Sequence, residues 1–424
     1  MAGSGEPGAL EEWRAHWRVM IPCFGGIVLC SAHGYSLGVM ILPIEQEYGW
    51  SRAEISAGML ILSLIALVAS PLAGLAVDRL GARRIALFGV PFYCTSLAML
   101  SLAGSNVVSW WSLWALLAIA NMTVMPAVWL AVLNGYFIKS RGQAMAVALS
   151  GTGMGAAIYP FILNALIEWQ GWREAYVMLA TIAVLLVLPA TYFLFRPARH
   201  LQAPPRQEAT TGGRTPPLSA RGQAWSMRYL KLAAAATVYA VACSALTANV
   251  VPVLIDQNLS PAVAAATAGL LGIGSITGRL IGGFLLDRFN GNMVAAICVL
   301  LPIIPITIFL NTDGSQAWAA LACLVMGLSI GTEVDCCAYL AARHFGTRNF
   351  GALFGTINGL LLFGNGLAPF LANYGYDVMK TYDLVLLLLT PLYVVTSLLF
   401  ATLGRYPDFD ETGLPVRGEP RASA

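Results

Sequence analysis

Residues 74–84 read GLAVDRLGARR and form a short charged break between two apolar runs of the chain. The spacing of this break recurs 209 residues later, where Gly283, Asp287 and Arg288 stand in place of Gly74, Asp78 and Arg79. Further pairs follow the same offset: Ser51 and Ser260, Ala53 and Ala262, Gly142 and Gly351, Gly155 and Gly364, and Pro160 and Pro369. An ungapped register of this length predicts an internal duplication.

The composition around this repeat is that of an integral membrane protein. The 424 residues are 58% hydrophobic and 11% charged, with a mean hydropathy of +0.71, whereas soluble domains carry roughly a quarter charged residues. We therefore predict an all-α membrane protein with twelve transmembrane helices, each long enough to cross a ~30 Å hydrocarbon core. The apolar runs are 18–43, 54–77, 84–104, 110–137, 143–167, 173–195, 230–255, 262–286, 292–311, 317–341, 350–374 and 384–403.

The duplication divides these helices into two pseudo-symmetric halves of six. The stretch 196–229 is rich in Pro, Gly and Arg and has no periodicity, which is typical of a flexible linker. We predict an N-terminal half over 1–195, a linker over 196–229, a C-terminal half over 230–404 and a tail over 405–424. Parallel six-helix repeats with a substrate site near the midplane between them are typical of secondary transporters.

The distribution of basic residues predicts the orientation. All but four of the 24 Lys and Arg residues fall on one side; Arg52, Arg173 and Lys380 fall on the other, and Arg279 lies within a helix. The positive-inside rule then places both termini in the cytoplasm, and we expect a multi-pass protein of the cell (inner) membrane. The first 20 residues lack a basic region and a cleavage site, so we expect no cleaved signal peptide.

The stretch 74–84 resembles the loop signature of the major facilitator superfamily, and the twelve helices and the second copy extend that resemblance over the chain. The resemblance implies that this loop is part of a cytoplasmic gate. In the gate, Asp78 would face the positive end of a neighbouring helix. The gating residues it implies are Gly74, Asp78, Arg79, Gly81, Arg83 and Arg84, with Asp287 and Arg288 in the second copy.

Five other stretches resemble the monocarboxylate porter and oxalate/formate antiporter branch of that superfamily. They are GWSRAEISAG (49–58), NGYFIKSRGQAMAVALSGTGMG (134–155), GWREAY (171–176), GRLIGGFLLDRF (278–289) and GTEVDCCAYLAARHFG (331–346). In that branch an arginine of the eighth helix binds the substrate carboxylate, and Arg279 matches it. The animal porters also carry an Asp one turn earlier, where this chain has Ser275, so the proton site must differ or coupling is absent.

Arg279 lies deep in the predicted eighth helix. The rise per residue puts it about 12 Å from Asp287, near the middle of the core, where a charge facing lipid costs at least ~2.5–3.5 kcal/mol. Its planar fork can hold both oxygens of a carboxylate and stays charged, which favours substrate binding. A structural ion pair and a side chain that reaches the interface are the two alternatives.

Glu333 and Asp335 are the acidic residues at the same predicted depth, in the tenth helix. Their spacing separates them by about 200° around a helix, so one is expected to face the central cavity and the other a neighbouring helix. An unpaired carboxylate in such a place favours the protonated form, as a proton carrier requires, and structural pairing with Arg279 is the alternative. Asp256, at the outer end of the seventh helix, is a further candidate for proton coupling.

Several other polar residues interrupt the apolar runs. The candidates for substrate binding beside Arg279 are His33, Asn121, Tyr239, Asn249 and Ser275, and Tyr35 also lies within a run. The eight cysteines are read as small buried hydrophobes. No constellation for a metal, a cofactor or enzymatic catalysis appears, so we expect none of these, no nucleic-acid partner and a monomer in the lipid bilayer.

These observations favour a secondary active transporter that carries a small organic anion with one carboxylate together with a proton, by alternating access. An organic anion exchanger is one alternative, although the exchangers for oxalate pair the arginine with a lysine in the eleventh helix and 350–374 contains no Lys or Arg. A proton-driven drug or metabolite exporter is another, although GTGMGAAIYP (151–160) displaces the proline of the antiporter motif.

Overall fold

The computed structural model describes residues 9–137, 140–196, 226–312, 314–345 and 350–407. These residues contain twelve helical segments that are long and apolar enough to cross a membrane, which confirms the predicted number and the all-α class. Residues 197–225 of the predicted linker and 408–424 of the predicted tail lie outside the described residues, and the predicted domain boundaries stay predictions.

The described helices are numbered in chain order. They are α1 (Ala9–Cys30), α2 (Ala32–Tyr48), α3 (Arg52–Leu80), α4 (Ala82–Met99), α5 (Val107–Asn121), α6 (Pro126–Tyr136), α7 (Arg141–Leu149), α8 (Gly151–Gln170), α9 (Trp172–Leu194), α10 (Met227–Thr247), α11 (Val250–Asp256), α12 (Pro261–Ala268), α13 (Leu270–Arg288), α14 (Gly291–Cys298), α15 (Ile303–Asn311), α16 (Gln316–Phe345), α17 (Phe350–Met379) and α18 (Asp383–Ala401).

Five of the spans consist of two helices in succession: spans 1 (α1, α2), 4 (α5, α6), 5 (α7, α8), 8 (α12, α13) and 9 (α14, α15). Spans 2, 3, 6, 7, 10, 11 and 12 are α3, α4, α9, α10, α16, α17 and α18, and α11 is a short helix that follows span 7. Because the number of spans is even, span 1 begins on the side where span 12 ends. We call this the terminal side and the opposite one the far side.

Span 1 begins earlier than its apolar run indicates, at Ala9 rather than at residue 18. The added turns are amphipathic and pack on the loop between spans 4 and 5. There the Glu12 carboxylate accepts hydrogen bonds from the backbone N–H of Ser140 at 3.0 Å and from its hydroxyl at 2.8 Å. A polar partner in the neighbouring loop therefore extends the helix beyond the apolar segment.

The two sets of six spans meet along two main seams, one where span 2 packs on span 11 and one where span 5 packs on span 8, and span 1 also contacts α11. Glycines allow the backbones to approach closely in both. A Cβ atom on Gly272 of span 8 would lie 2.1 Å from the carbonyl oxygen of Gly153 in span 5, and one on Gly366 of span 11 would lie 2.2 Å from the Ser63 hydroxyl in span 2. Small residues at helix contacts are the usual means of close packing in membranes.

Candidate functional site

Span 8 and span 10 are in backbone contact along a row of glycines. A Cβ atom on Gly278 of span 8 would lie 2.2 Å from the carbonyl oxygen of Leu328, and one on Gly331 of span 10 would lie 2.0 Å from the carbonyl oxygen of Ser275. These distances leave no room for side chains between the two helices at Gly278 and Gly331. The polar side chains one turn toward the terminal side are therefore brought together.

Arg279 and Asp335 form an ion pair across this contact. The Arg279 Nε lies 3.8 Å from the Asp335 Oδ2, and the two side chains are 11% and 31% exposed. Asp335 follows Gly331 by four residues, so both lie on the same face of span 10. Two of the predicted site residues are thus in contact in the described structure, and the carboxylate is the more accessible partner.

Glu333 lies on another face of span 10, as the two-residue spacing predicts. It lines a small cavity between spans 7, 9, 10 and 12, and its buried Oε1 has no hydrogen-bond partner among the described residues. Tyr239 lines the same cavity, and its hydroxyl bonds to that of Ser329, which donates to the carbonyl of Cys298 at 2.8 Å. The two carboxylates therefore have different surroundings: Asp335 faces a guanidinium, and Glu333 faces hydroxyl and thiol groups.

Tyr35, in the first span, is a residue of the N-terminal half that lies near the interface with the other half. This half-buried side chain interacts electrostatically with Arg279 and with Glu333. It also lines a small gap between the halves together with Pro160 and Leu271. Tyr35 was not among the predicted binding residues. The spacing of two residues places Tyr35 and His33 on opposite faces of the helix, so at most one of them could face the other half.

His33 faces its own half of the protein. Its Nδ1 lies 3.1 Å from the Tyr93 hydroxyl in span 3, and its backbone N–H donates to the same oxygen at 3.3 Å. This is the hydrogen-bonded contact between helices that is common for a histidine in a membrane. The face of span 1 that borders the other half therefore carries Tyr35 and not His33.

The remaining candidates are dispersed. Ser275 is buried one turn from Arg279. Asn249 is buried and donates from Nδ2 to the carbonyl of Ala245 at 2.8 Å. The Oδ1 atoms of Asn121 and Asn249 are buried without a hydrogen-bond partner in the described part of the chain. Asp256 lies on the far side, with its Oδ2 3.9 Å from Arg52 Nη1. The roles proposed for these residues stay predictions.

The eight cysteines are all buried and unbridged, which agrees with their interpretation as small apolar residues.

A model of the Major Facilitator Superfamily matches residues 23–372. The chain belongs to the major facilitator superfamily. The resemblance of the charged loop is thereby confirmed, and the chain is a transporter rather than an enzyme. The solved nucleoside transporter NupG shares this fold, with a TM-score of 0.72 at 15% identity over 92% of this chain and 99% of that one.

Among its superfamily relatives the chain is similar to two transporters of Pseudomonas putida. A gallate transporter is 30% identical over 322 residues, covering 67% of this chain and 69% of that protein. The 4-hydroxybenzoate transporter PcaK is 24% identical over 398 residues, covering 83% and 87%. Monocarboxylate transporter 14 of Mus musculus is 29% identical over 163 residues, only 38% of this chain and 31% of that protein.

The superfamily's loop signature lies on the terminal side, between spans 2 and 3. Gly81 ends α3 with φ +84, a region that favours glycine. Arg79 and Arg84 are exposed, and Arg83 Nη2 donates to the carbonyl of Tyr192 at the end of span 6, at 2.9 Å. Arg79 and Arg84 therefore lie on the surface of the N-terminal spans.

In the second copy, the guanidinium carbon of Arg288 lies 4.2 Å from the centroid of the Phe284 ring. The surroundings of Gly74 and the side chains of Asp78 and Asp287 lie outside the described residues. The gating roles of the two copies therefore stay predictions.

Proposed function

We propose that this transporter carries a small organic anion with a single carboxylate, together with a proton, by alternating access. The observation that carries this proposal is the Arg279–Asp335 pair, with Nε and Oδ2 3.8 Å apart inside the membrane-spanning bundle. An arginine that already holds an internal carboxylate is a site to which an external carboxylate can bind by replacing it. Asp335 then acts as the occupant of the site in the absence of substrate.

The exchange of carboxylates supplies a route for proton coupling. When the substrate takes Arg279, Asp335 loses its counter-charge in a poorly solvated place, and an isolated carboxylate there favours protonation. One anion and one proton are then carried together without net charge. Glu333, whose Oε1 has no hydrogen-bond partner among the described residues, is the second candidate for the proton.

The relatives and the lining of the inter-half gap support an aromatic acid. Gallate and 4-hydroxybenzoate, for which the two Pseudomonas putida relatives are named, are both aromatic carboxylates. The gap beside Tyr35 is lined by Pro160, Val250 and Leu271, among others, and such apolar groups suit a planar ring. Tyr35 is the proposed contact from the N-terminal half, so that the substrate joins the two halves.

The proposed location is the inner membrane, with both termini in the cytoplasm and one chain as the working unit. The bias of Lys and Arg toward the terminal side supports the orientation. In this orientation the far side is the extracytoplasmic side.

Uptake into proteoliposomes tests the proposal. Labelled gallate, 4-hydroxybenzoate and an aliphatic dicarboxylate are offered with and without an inward proton gradient. We expect accumulation of an aromatic monocarboxylate that collapses with a protonophore, and no uptake by Arg279→Lys. Arg405→Lys, which changes an exposed arginine beyond span 12, is the matched control and should transport normally. Normal uptake by Arg279→Lys would remove the guanidinium from the site.

A further inference from the structure

Arg52 occupies a closed cluster on the far side of the protein, at the start of span 2. It is 6% exposed, and its guanidinium carbon lies 3.8 Å from the centroid of the Tyr376 ring. Its Nη1 donates to the Tyr382 hydroxyl at 3.3 Å, and its Nε lies 3.0 Å from Glu45 Oε2 in span 1. Two of these three partners belong to the other half of the chain, so the cation bridges the halves.

Asp377, at the end of span 11, caps the helix that Arg52 begins. One carboxylate oxygen accepts from the backbone N–H of Arg52 at 3.1 Å and the other from that of Ala53 at 2.8 Å. The first N–H groups of a helix have no partner within it and carry partial positive charge. Ser51 and Glu54 form a capping box within the same half, and Asp377 adds a cap from the opposite half. This added contact exists only while the halves are closed on this side.

A third set of contacts lies one turn deeper in the same seam. The buried amide of Asn373 donates from Nδ2 to the Ser56 hydroxyl at 2.7 Å, and its Oδ1 accepts from the Tyr382 hydroxyl at 2.7 Å. We call the group of Arg52, Ser56, Asn373, Tyr376, Asp377 and Tyr382 the latch. Among the described residues, the latch makes nearly all the hydrogen bonds and ion pairs between the halves. The other two are the bond from the Ala53 N–H to Asp377 and the ion pair of Arg52 with Asp256.

The internal repeat shows that the seam between spans 5 and 8 lacks the counterparts of the latch residues. The offset of 209 residues places Pro261 at the position of Arg52, and Asn164 and Glu168 at those of Asn373 and Asp377. Pro261 has neither a cationic side chain nor a backbone N–H to donate. Glu168 is exposed and accepts from Asn164 Nδ2 at 2.7 Å, within its own helix.

The seam between spans 5 and 8 is instead closed by backbone and apolar contact. A Cβ atom on Gly269 would lie 2.7 Å from the carbonyl oxygen of Ala157, and one on Gly153 would lie 2.8 Å from the Ile276 side chain. Such contacts tolerate small rotations better than directional hydrogen bonds do, because dispersion attraction is spread over many atoms. The two seams therefore differ in chemistry although they are related by the repeat.

We propose that the far side opens asymmetrically: the latch releases spans 2 and 11 from each other, while spans 5 and 8 stay packed and act as the hinge. The inference rests on alternating access but not on the identity of the substrate. In this proposal Arg52 and Asp377 stabilise the closed state on the far side.

Distances between spin labels in the substrate-free protein test the inference. Cysteines at the exposed positions Ser105 and Lys380 report on the latched seam, and cysteines at the exposed positions Gln170 and Ala262 report on the hinge seam. Asp377→Ala and Arg52→Gln should each add a longer distance population to the first pair and leave the second unchanged. Glu168→Gln, at the repeat position of Asp377, is the control and should change neither.

Two results would overturn the inference: an unchanged distance for the first pair in both latch variants, or equal lengthening of both pairs. If Asp377→Ala does not fold, Asp377→Asn keeps the shape and one acceptor oxygen, and a smaller change in the same direction is expected. The measurement needs no substrate, so its failure is separate from a failure of the carboxylate proposal, which the uptake assay reports.

Discussion

Arg279 of span 8 and Asp335 of span 10 lie 3.8 Å apart, with the glycine row between the two helices setting their separation. A guanidinium and a carboxylate at this distance neutralise each other in the absence of substrate, which lowers the cost of keeping either charge in the membrane. The same pair supplies both parts of the proposed reaction, a cation for the substrate and a carboxylate for the proton.

Asp335→Asn should separate substrate binding from proton coupling. The variant keeps Arg279 but removes the competing negative charge, so we expect substrate to bind as tightly as in the wild type or more tightly. Accumulation driven by a proton gradient should disappear, while exchange of labelled for unlabelled substrate should continue. Binding and both transport modes are measured on the same proteoliposome preparation.

Glu333→Gln is the companion variant for this experiment. If Asp335 carries the proton, Glu333→Gln retains gradient-driven accumulation. Accumulation that survives in Asp335→Asn and is lost in Glu333→Gln would assign the proton to Glu333 instead.

Tyr35→Phe should weaken substrate binding if the phenol donates to the bound carboxylate. A hydrogen bond to a charged group contributes ~1.5–3 kcal/mol to the free energy of binding. Its loss is therefore expected to raise KM about tenfold or more. Tyr93→Phe removes the partner of His33 and should leave KM near the wild-type value. The opposite pattern, with KM raised only in Tyr93→Phe, would show that the His33 face of span 1 is the one that meets substrate.

Gly331→Ala should destabilise the protein and push Arg279 away from Asp335. The added methyl would lie 2.0 Å from the Ser275 carbonyl oxygen and 2.7 Å from the backbone nitrogen of Arg279. Overpacking of this kind lowers the free energy of unfolding by about 1–3 kcal/mol. The apparent Tm in detergent should fall. Gly283→Ala is the control, because nothing lies within 4 Å of its added methyl, and its Tm should be unchanged or higher.

Asp256 should make the closed state of the far side depend on pH. Burial raises the pKa of its carboxyl above the ordinary value of 3.8, although Arg52 acts to lower it; Glu45 and Asp383 add to the rise. If opening exposes this carboxyl, its pKa returns toward 3.8, and the closed state then binds the proton more tightly. The closed state is therefore stabilised as the pH falls below the raised pKa. This stabilisation is lost as the pH rises through the raised pKa.

Spin labels at Ser105 and Lys380 measure this effect. In the wild type the closed population should grow on acidification, and in Asp256→Asn it should be large and independent of pH over the same window. A wild-type population that opens on acidification would mean that loss of the Arg52–Asp256 pair outweighs relief of the buried charge.

The hydropathy pattern was sufficient for the class of fold because each span is a local property of the chain. Twenty apolar residues form a membrane helix wherever they occur, since the bilayer leaves no other partner for their backbone groups. The charged loop at 74–84 and its copy identified the superfamily, and the two-residue spacing of Glu333 and Asp335 correctly predicted that they face different surroundings.

The sequence by itself therefore determined twelve helices, their duplication, and that Arg279 lies within the eighth of them. Only the tertiary structure decided which carboxylate meets that arginine, which face of span 1 borders the other half, and that Arg52 joins Asp377. Those contacts depend on how helices rotate and approach one another, and their rotation is set by glycine contacts between residues far apart in the chain. A one-dimensional pattern records which residues lie at one depth, but it does not record which of them share an interface.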